Sequence, residues 1–297
     1  MTALTTTPAW GLPPTLVPGF DTVVRTALLG VTFRDAATLR SVADGLRAEV
    51  VDTWQPQRRV ALAANRSGVF VLHRFPGLPG FGDTAAPPAP TSPAEPERYR
   101  LEVHDTAGRY LPAATPVTLP HEGLFGLPGS YDSPADTTPY VPLFSAATRS
   151  VPPPLAELRA ELRRASDPGT PVPWALLELW LGPLRLAQGL ADAEGRVLLP
   201  FPLPRPREPG LRDSPGTLDE RWSWDVTLLA FWSPTVPASP PDDEPPTLPD
   251  LDTLLTQPPA ALLQQPSPPL PLAPLRLHAG VPLLARSAGA SFLFVAD

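Results

Sequence analysis

The stretch GLADAEGRVLLPFPLP, Gly189–Pro204, decides how this chain is read, because an earlier stretch, VHDTAGRYLPAATPVTLP at Val103–Pro120, repeats its outline. Both hold Asp-x-x-Gly-Arg followed by apolar residues and a proline. A type I turn favours Asp, Asn or Ser at its first position and Gly at its fourth, where a left-handed residue gives a bulge that suits the twist of the flanking strands. Asp105 to Gly108 and Asp192 to Gly195 fit this pattern, and so does Asn65 to Gly68 ahead of VFVLHRF. Arg286 to Gly289, ahead of SFLFV, is a weaker case with the wrong first residue. Each is read as a hairpin turn feeding an apolar strand, with Gly108 and Gly195 at positive φ and neither aspartate facing a pocket. Arg109 and Arg196 are read as solvated residues at the start of a strand. A calcium loop is disfavoured, since it needs several oxygen ligands at alternating positions and Asp-Ala-Glu-Gly offers at most two.

Working outward, short apolar or alternating runs bounded by turn residues recur. They include Leu46–Trp54, Gly68–Phe75, Arg98–Asp105, Pro173–Gly182, Arg196–Phe201 and Trp222–Trp232, and such runs behave as strands. Leu155–Ala165 has leucines at 155, 158 and 162, which also suits a short amphipathic helix. Strand is favoured there, because VPPP precedes the run and DPGTPV follows it as a turn. The 47 prolines among 297 residues are roughly three times average usage and argue against long helices. The expected fold is therefore all-β: two β-sandwich units, Ig-like or transthyretin-like, with a Pro-rich strap and a C-terminal β-hairpin. The boundaries are an extended arm over 1–19, a first unit over 20–130, a second over 131–233, the strap over 234–274 and the hairpin over 275–297. Two Pro-rich loops are expected, at 84–97 and within 121–139. The strap segment carries 14 prolines in 41 residues, which cannot form ordinary sheet interior, and its Leu pairs favour partial docking on a surface.

Composition excludes much chemistry. There is no Cys, so disulfides and thiolate metal sites are out, and the four histidines, His73, His104, His121 and His278, are scattered. No metal or cofactor is expected. All 23 basic residues are Arg, and at a net charge of −7 they form no basic stripe, so nucleic-acid binding is not expected. No apolar stretch reaches the ~18 residues of a membrane span, and the N-terminus lacks the pattern of a secretory signal. A cytoplasmic protein without membrane insertion is the expectation. Nucleophilic catalysis would call for Ser or Thr beside His and an acid, with a Gly-rich elbow, and no Gly-x-Ser-x-Gly occurs. His104 beside Asp105 and His121 beside Glu122 are weak acid–base pairs, because neighbours on a strand point to opposite faces. Asp242, Asp243 and Glu244 are read as solvating the Pro-rich segment. Trp222 and Trp224 fall on one face by the two-residue period; they are either core fillers or, if exposed, a platform that stacks on sugar rings.

The run Leu158–Pro204 resembles the carboxypeptidase regulatory-like, or transthyretin-like, β-sandwich domain. The matching positions are Gly169, Pro171, Val172 and Ala175, then Gly189, Asp192, Gly195, Arg196, Val197 and Leu199. That resemblance implies a fold and a structural or binding module. The transthyretin-like hydrolase of hydroxyisourate is disfavoured, because its C-terminal Tyr-Arg-Gly-Ser is Phe-Val-Ala-Asp here. The order of SGVFVLHRFPGLPG, VHDTAGRYLPAATPVTLP, PLFSAATRSVPPPLAELRAEL, PWALLELWL and GLADAEGRVLLPFPLP resembles proteins encoded with extracellular contractile injection systems, the phage-tail-like particles. It implies a non-enzymatic structural or adaptor subunit, assembled in the cytoplasm into a particle that is released, with other protein subunits as partners. The alternatives are a carbohydrate-binding module, with a polysaccharide as partner, and more weakly an uncharacterised hydrolase.

Overall fold

Alternation of apolar and polar side chains becomes sheet throughout the computed structural model, which describes residues 27–78, 99–127, 138–205, 222–234 and 248–296. The fold is all-β and sandwich-type. The 1–19 arm, the 84–97 loop, much of the 121–139 loop and the acidic Asp242–Glu244 stretch lie outside the described residues.

The first unit holds β1 (Leu29–Val31), β2 (Phe33–Asp35), β3 (Leu46–Asp52), β4 (Arg59–Ala61), β5 (Ala63–Ala64), β6 (Phe70–Leu72), β7 (Tyr99–Asp105), β8 (Ala113–Val117), β9 (Leu124–Phe125) and β10 (Val141–Leu143). One sheet runs β5-β6-β1-β9 and a second β4-β3-β7-β8, while β10 pairs in parallel with β2. Val31, Phe33, Val50, Phe70, Leu101 and Val141 fill the core between them. β10 lies beyond the expected boundary at 130, yet its Val141 and Leu143 are buried in this first core.

The second unit holds β11 (Leu155–Arg164), β12 (Leu176–Leu181), β13 (Leu184–Leu190), β14 (Arg196–Pro202) and β15 (Ser223–Phe231). The C-terminal part adds the short helix α1 (Leu251–Leu255), then β16 (Pro259–Ala260), β17 (Leu262–Pro266), β18 (Pro269–Pro271), β19 (Leu275–His278), β20 (Leu283–Leu284) and β21 (Leu293–Val295). β11 is a strand, as its flanking prolines suggested. It pairs with β14 along one edge and with β20 and β21 along the other, and this sheet continues through β17 to β18. The facing sheet runs β13-β12-β15-β16, with β19 also on β15. Along β15 the inward residues Trp224, Val226, Leu228 and Ala230 are buried while Asp225, Thr227 and Leu229 are exposed, the period-two pattern of a half-buried strand.

Two expectations need correction. Residues 275–296 do not form a hairpin of their own: β19 joins one sheet, while β20 and β21 both run parallel to β11 in the other. Residues 248–274 of the Pro-rich segment are not merely a strap lying on a surface, since they supply α1 and three sheet strands. Proline removes an N–H but keeps a carbonyl, and the chain uses that half. Ala114 N donates to Pro249 O at 2.9 Å and Trp232 N to Pro258 O at 2.8 Å. The most proline-dense strand, β18, sits at the sheet's end, where no outer strand among the described residues needs its donors.

Residues 248–260 also fasten the two units together. Arg100 Nη2 donates to Leu248 O at 2.8 Å, and Asp250 caps α1 by accepting from the N–H groups of Asp252 and Thr253. Leu251 and Leu254 are buried in the first core, and Gln257 Nε2 donates to Trp174 O at 2.9 Å before β16 joins β15. Leu176 and Leu190 of the second unit are buried in that same first core, with Trp174 and Phe231 packed against it. The two sandwiches therefore share an apolar interface with α1 set into it.

Candidate functional site

The repeated phrase builds the same local object twice. In the first turn Gly108 N donates to Asp105 O at 3.1 Å, and Gly108 has φ +66°. The Asp105 carboxylate accepts from Ala107 N at 3.3 Å and Arg109 N at 2.6 Å. Arg109 then folds back, its Nε 3.0 Å from Oδ2 and its Nη2 2.9 Å from Oδ1, while Nη2 also reaches Asp44 O at 2.6 Å. In the second turn Gly195 N donates to Asp192 O at 3.0 Å, and Gly195 has φ +79°. Asp192 accepts from Glu194 N at 3.0 Å, Arg196 N at 2.8 Å and Arg196 Nε at 2.9 Å. Arg196 Nη2 continues to Glu194 Oε2 at 2.8 Å.

Three of the five positions thus have distinct duties. The aspartate carboxylate takes the place of a strand partner for two backbone N–H groups, the glycine supplies the left-handed residue, and the arginine neutralises the carboxylate through charge-assisted bonds. Burial pushes the Asp105 carboxyl up, but the bonds from Arg109 and from the N–H groups of Arg109 and Ala107 outweigh it and hold it below the ordinary value. Arg109 and Arg196 are therefore not simple solvated rim residues. Asn65 makes the uncharged version: its Oδ1 accepts from Ser67 N at 2.9 Å and Val69 N at 3.0 Å, with Gly68 at φ +77°. The Gly289 case is displaced by one residue, since Ala290 N donates to Ser287 O, which makes Ser287 the first position instead of Arg286.

The turns differ in what they connect. Asp105–Gly108 joins the antiparallel pair β7 and β8, and Asn65–Gly68 joins β5 and β6. Asp192–Gly195 is not a hairpin, because β13 pairs with β12 in one sheet while β14 pairs with β11 in the other. It is an arch across the sandwich, and its backbone is packed against β11: Leu162 N donates to Gly195 O at 2.8 Å.

Trp222 and Trp224 are not brought to one surface. Trp222 lies just outside β15 and is 42% exposed, whereas Trp224 is 2% exposed in the second core with Nε1 donating to Arg205 O at 3.3 Å. No two-indole platform forms from this pair. His73 and His104 are exposed, and the Asp105 carboxylate is bonded to Arg109. Among the described residues, no three His, Asp or Glu side chains gather to hold a metal ion.

Sequence reading missed a buried polar group between distant segments. Arg149 Nη2 meets Asp35 Oδ2 at 2.6 Å and Arg149 Nη1 meets Ser145 Oγ at 2.7 Å, while Tyr110 OH donates to the same Asp35 oxygen at 3.2 Å. Ala37 N closes the other carboxylate oxygen at 2.8 Å, and the guanidinium lies over the Tyr110 ring at 4.8 Å. Burial pushes Asp35 up, but Arg149, the Ala37 N–H and Tyr110 together hold it below its ordinary value. Burial and the Asp35 charge push the Tyr110 phenol up to about 12. With its donors and acceptors spent on one another, the group is a lock between β2 and the 145–149 turn. Asp35 and Arg149 are 114 residues apart, and no local pattern links them.

A concavity lies elsewhere, on the edge of β15. It is a cleft of about 430 Å³ walled by Leu229, Phe231, Pro259, Ala260, Leu262 and Leu272 among others, and none of its lining residues is charged. An uncharged apolar wall offers no group for acid–base or phosphate chemistry; it suits an apolar segment.

No protein-family model matches the chain, and no curated protein is similar to it in sequence. Among solved structures, the Bacillus anthracis TIE protein is similar over 91% of this chain and 34% of that one, with 9% identity and a TM-score of 0.23. The chain spans about a third of that protein's length, and at this distance neither fold nor activity transfers.

Proposed function

We propose that the chain is a non-enzymatic structural or adaptor subunit of a contractile injection, phage-tail-like particle, assembled in the producing cell and binding other protein subunits. The resemblance in phrase order motivates the particle. In the fold, PWALLELWL supplies β12 and GLADAEGRVLLPFPLP supplies the arch and β14, so these two of the resembling phrases belong to the second sandwich. The observation that carries the adaptor role is the interrupted edge of β15 with its uncharged cleft, on a pair of sandwiches fastened by residues 248–260. Edges of this kind are where a second chain pairs, and a rigid body is what a scaffold subunit needs. The two conspicuous Asp–Arg pairs support the same reading, because they are consumed in closing turns.

The test is to tag the chain in a strain that makes such particles, purify sheath-and-tube assemblies, and identify the proteins that sediment with them. Stoichiometric recovery of the chain with the particle is the expected outcome. Purified particles that lack it overturn the proposal.

A further inference from the structure

β15 carries two short strands on its outer edge, and they do not meet. β19 covers Ser223 to Val226 and β16 covers Ala230 to Phe231. Between them Thr227, Leu228 and Leu229 have no described strand beside them, a gap three residues long that spans about 10 Å at ordinary strand rise. The hydrogen-bond phase shows which backbone groups face it. Ala279 N donates to Trp222 O beside β19 and Trp232 N donates to Pro258 O beside β16, so the even-numbered residues of β15 direct their N–H and C=O outward. Leu228 is in phase with both and presents one donor and one acceptor to the gap. The uncharged cleft lies at this point, and the exposed Leu229 is on its rim.

Such a slot selects its occupant in three ways. It admits about three extended residues, it asks only the middle one for a ladder pair, and it excludes charge. A longer strand would collide with β16 and β19, so the occupant must leave the ladder on both sides, which proline does because it has no N–H to offer. This chain contains such a segment: Pro14-Thr15-Leu16-Val17-Pro18, within a stretch of 20 residues that holds no charged side chain. Thr and Val favour extended backbone, and a residue before proline is restricted to it.

We propose that the gap in the β15 edge binds the Pro14–Pro18 segment of a second copy of this chain, with Leu16 pairing to Leu228 and its side chain entering the cleft. Copies would thereby link head to tail, each offering an arm and a slot. The inference deepens the adaptor reading, but it needs only the purified chain, so failure here leaves the sedimentation result untouched and the reverse also holds.

The chain has no cysteine, which makes cross-linking clean. One full-length preparation carries Val17→Cys and a second carries Leu229→Cys. They are mixed and treated with a short bismaleimide, and the mixed dimer is counted by intact mass. A third preparation carries Leu184→Cys, exposed next to the β12–β13 turn on the opposite edge of the same sheet, as the control partner. The expected result is severalfold more mixed dimer with Leu229→Cys than with Leu184→Cys, suppressed by excess acetyl-Pro-Thr-Leu-Val-Pro-amide and not by the same peptide with Asp for Leu. Equal yields from the two partners overturn the proposal, as does indifference to the first peptide. A Val17→Cys, Leu229→Cys double variant that closes within single chains also overturns it, by showing that the arm serves its own slot.

Discussion

Replacing the turn glycines with alanine should separate two positions that the sequence makes look alike. Gly108 and Gly195 share the motif and both have positive φ, so each substitution meets the left-handed penalty of an L residue, about 1–2 kcal/mol. Around Gly108 a Cβ would meet nothing within 4 Å, and the cost ends there. Around Gly195 the same atom would stand 2.6 Å from Leu162 O and 3.2 Å from Val172 N, backbone atoms that belong to or flank β11 and cannot swing aside. Overpacking of this kind adds roughly 1–3 kcal/mol. Gly108→Ala should then cost about 1–2 kcal/mol and Gly195→Ala about 2–5. With a urea slope on the order of 3 kcal/mol/M for a chain of this size, the midpoint should fall by about 0.5 M in the first variant and by about 1 M or more in the second. Urea titration followed by tryptophan fluorescence and far-UV circular dichroism reads both. Equal midpoint losses would refute the claim that the second turn is wedged against β11.

Other consequences arise from the buried polar group and the fastening segment. Asp35→Asn leaves Arg149 without its counter-charge and should cost about 3–5 kcal/mol at pH 7. Because the Asp35 carboxyl is held below 3.8 in the folded chain, its contribution is full above that pH and drains away as pH falls through the folded value, so wild type and variant should converge in acid. Denaturation midpoints compared at pH 7 and pH 3 check this, and a constant difference would contradict it. Tyr110→Phe removes one bond to a charged acceptor and should cost about 1.5 kcal/mol. Since the phenol is raised from 10.0 to about 12, the cost should be constant below pH 10 and shrink above it, which alkaline denaturation of both proteins would show. Leu254→Ala, at a site 1% exposed, should cost about 2–5 kcal/mol and speed amide exchange at Ala114, which donates to Pro249. Unchanged protection at Ala114 would mean that α1 does not hold the segment down.

Strands were legible wherever one face is buried, because burial alone imposes the period of two. β15 shows this, as does β11, where Leu158 and Leu162 fit both a helix and a strand and only the flanking prolines decided. Pairing partners were not legible. β20 and β21 are very short strands whose place beside β11 is set by tertiary contacts, and nothing within SFLFV distinguishes a hairpin arm from a parallel neighbour. The prolines of 248–274 misled for a definable reason. Counting lost donors overlooks carbonyls that still accept, and Pro249 and Pro258 both do. At the candidate sites, Asp105 with Arg109 was a local relation four residues long and could have been read as a pair. Asp35 with Arg149 could not, since neither residue stands in any pattern that names the other. Trp222 and Trp224 were placed on one face by a period that holds only inside a strand, and β15 begins at Ser223, between them.

The contrast between the two Asp-x-x-Gly-Arg turns shows what such a phrase specifies. Its carboxylate, its glycine and its guanidinium close the turn with a set of bonds among the five residues themselves, which is the same in both places whatever strands the turn joins. For that reason the same phrase can end a hairpin at β7 and β8 and carry the chain between sheets at β13 and β14. The two cases part at the strand that follows each arginine. After Arg196 the run Val-Leu-Leu-Pro-Phe is buried throughout, and β14 lies next to β11, which supplies Leu158 and Leu162 to the core. After Arg109 the chain instead spends Tyr110 on the Asp35 group and then returns along β7. A self-closed turn is thus a punctuation mark that tolerates either topology, and the two topologies differ in the partner of the next strand, β7 in one case and β11 in the other.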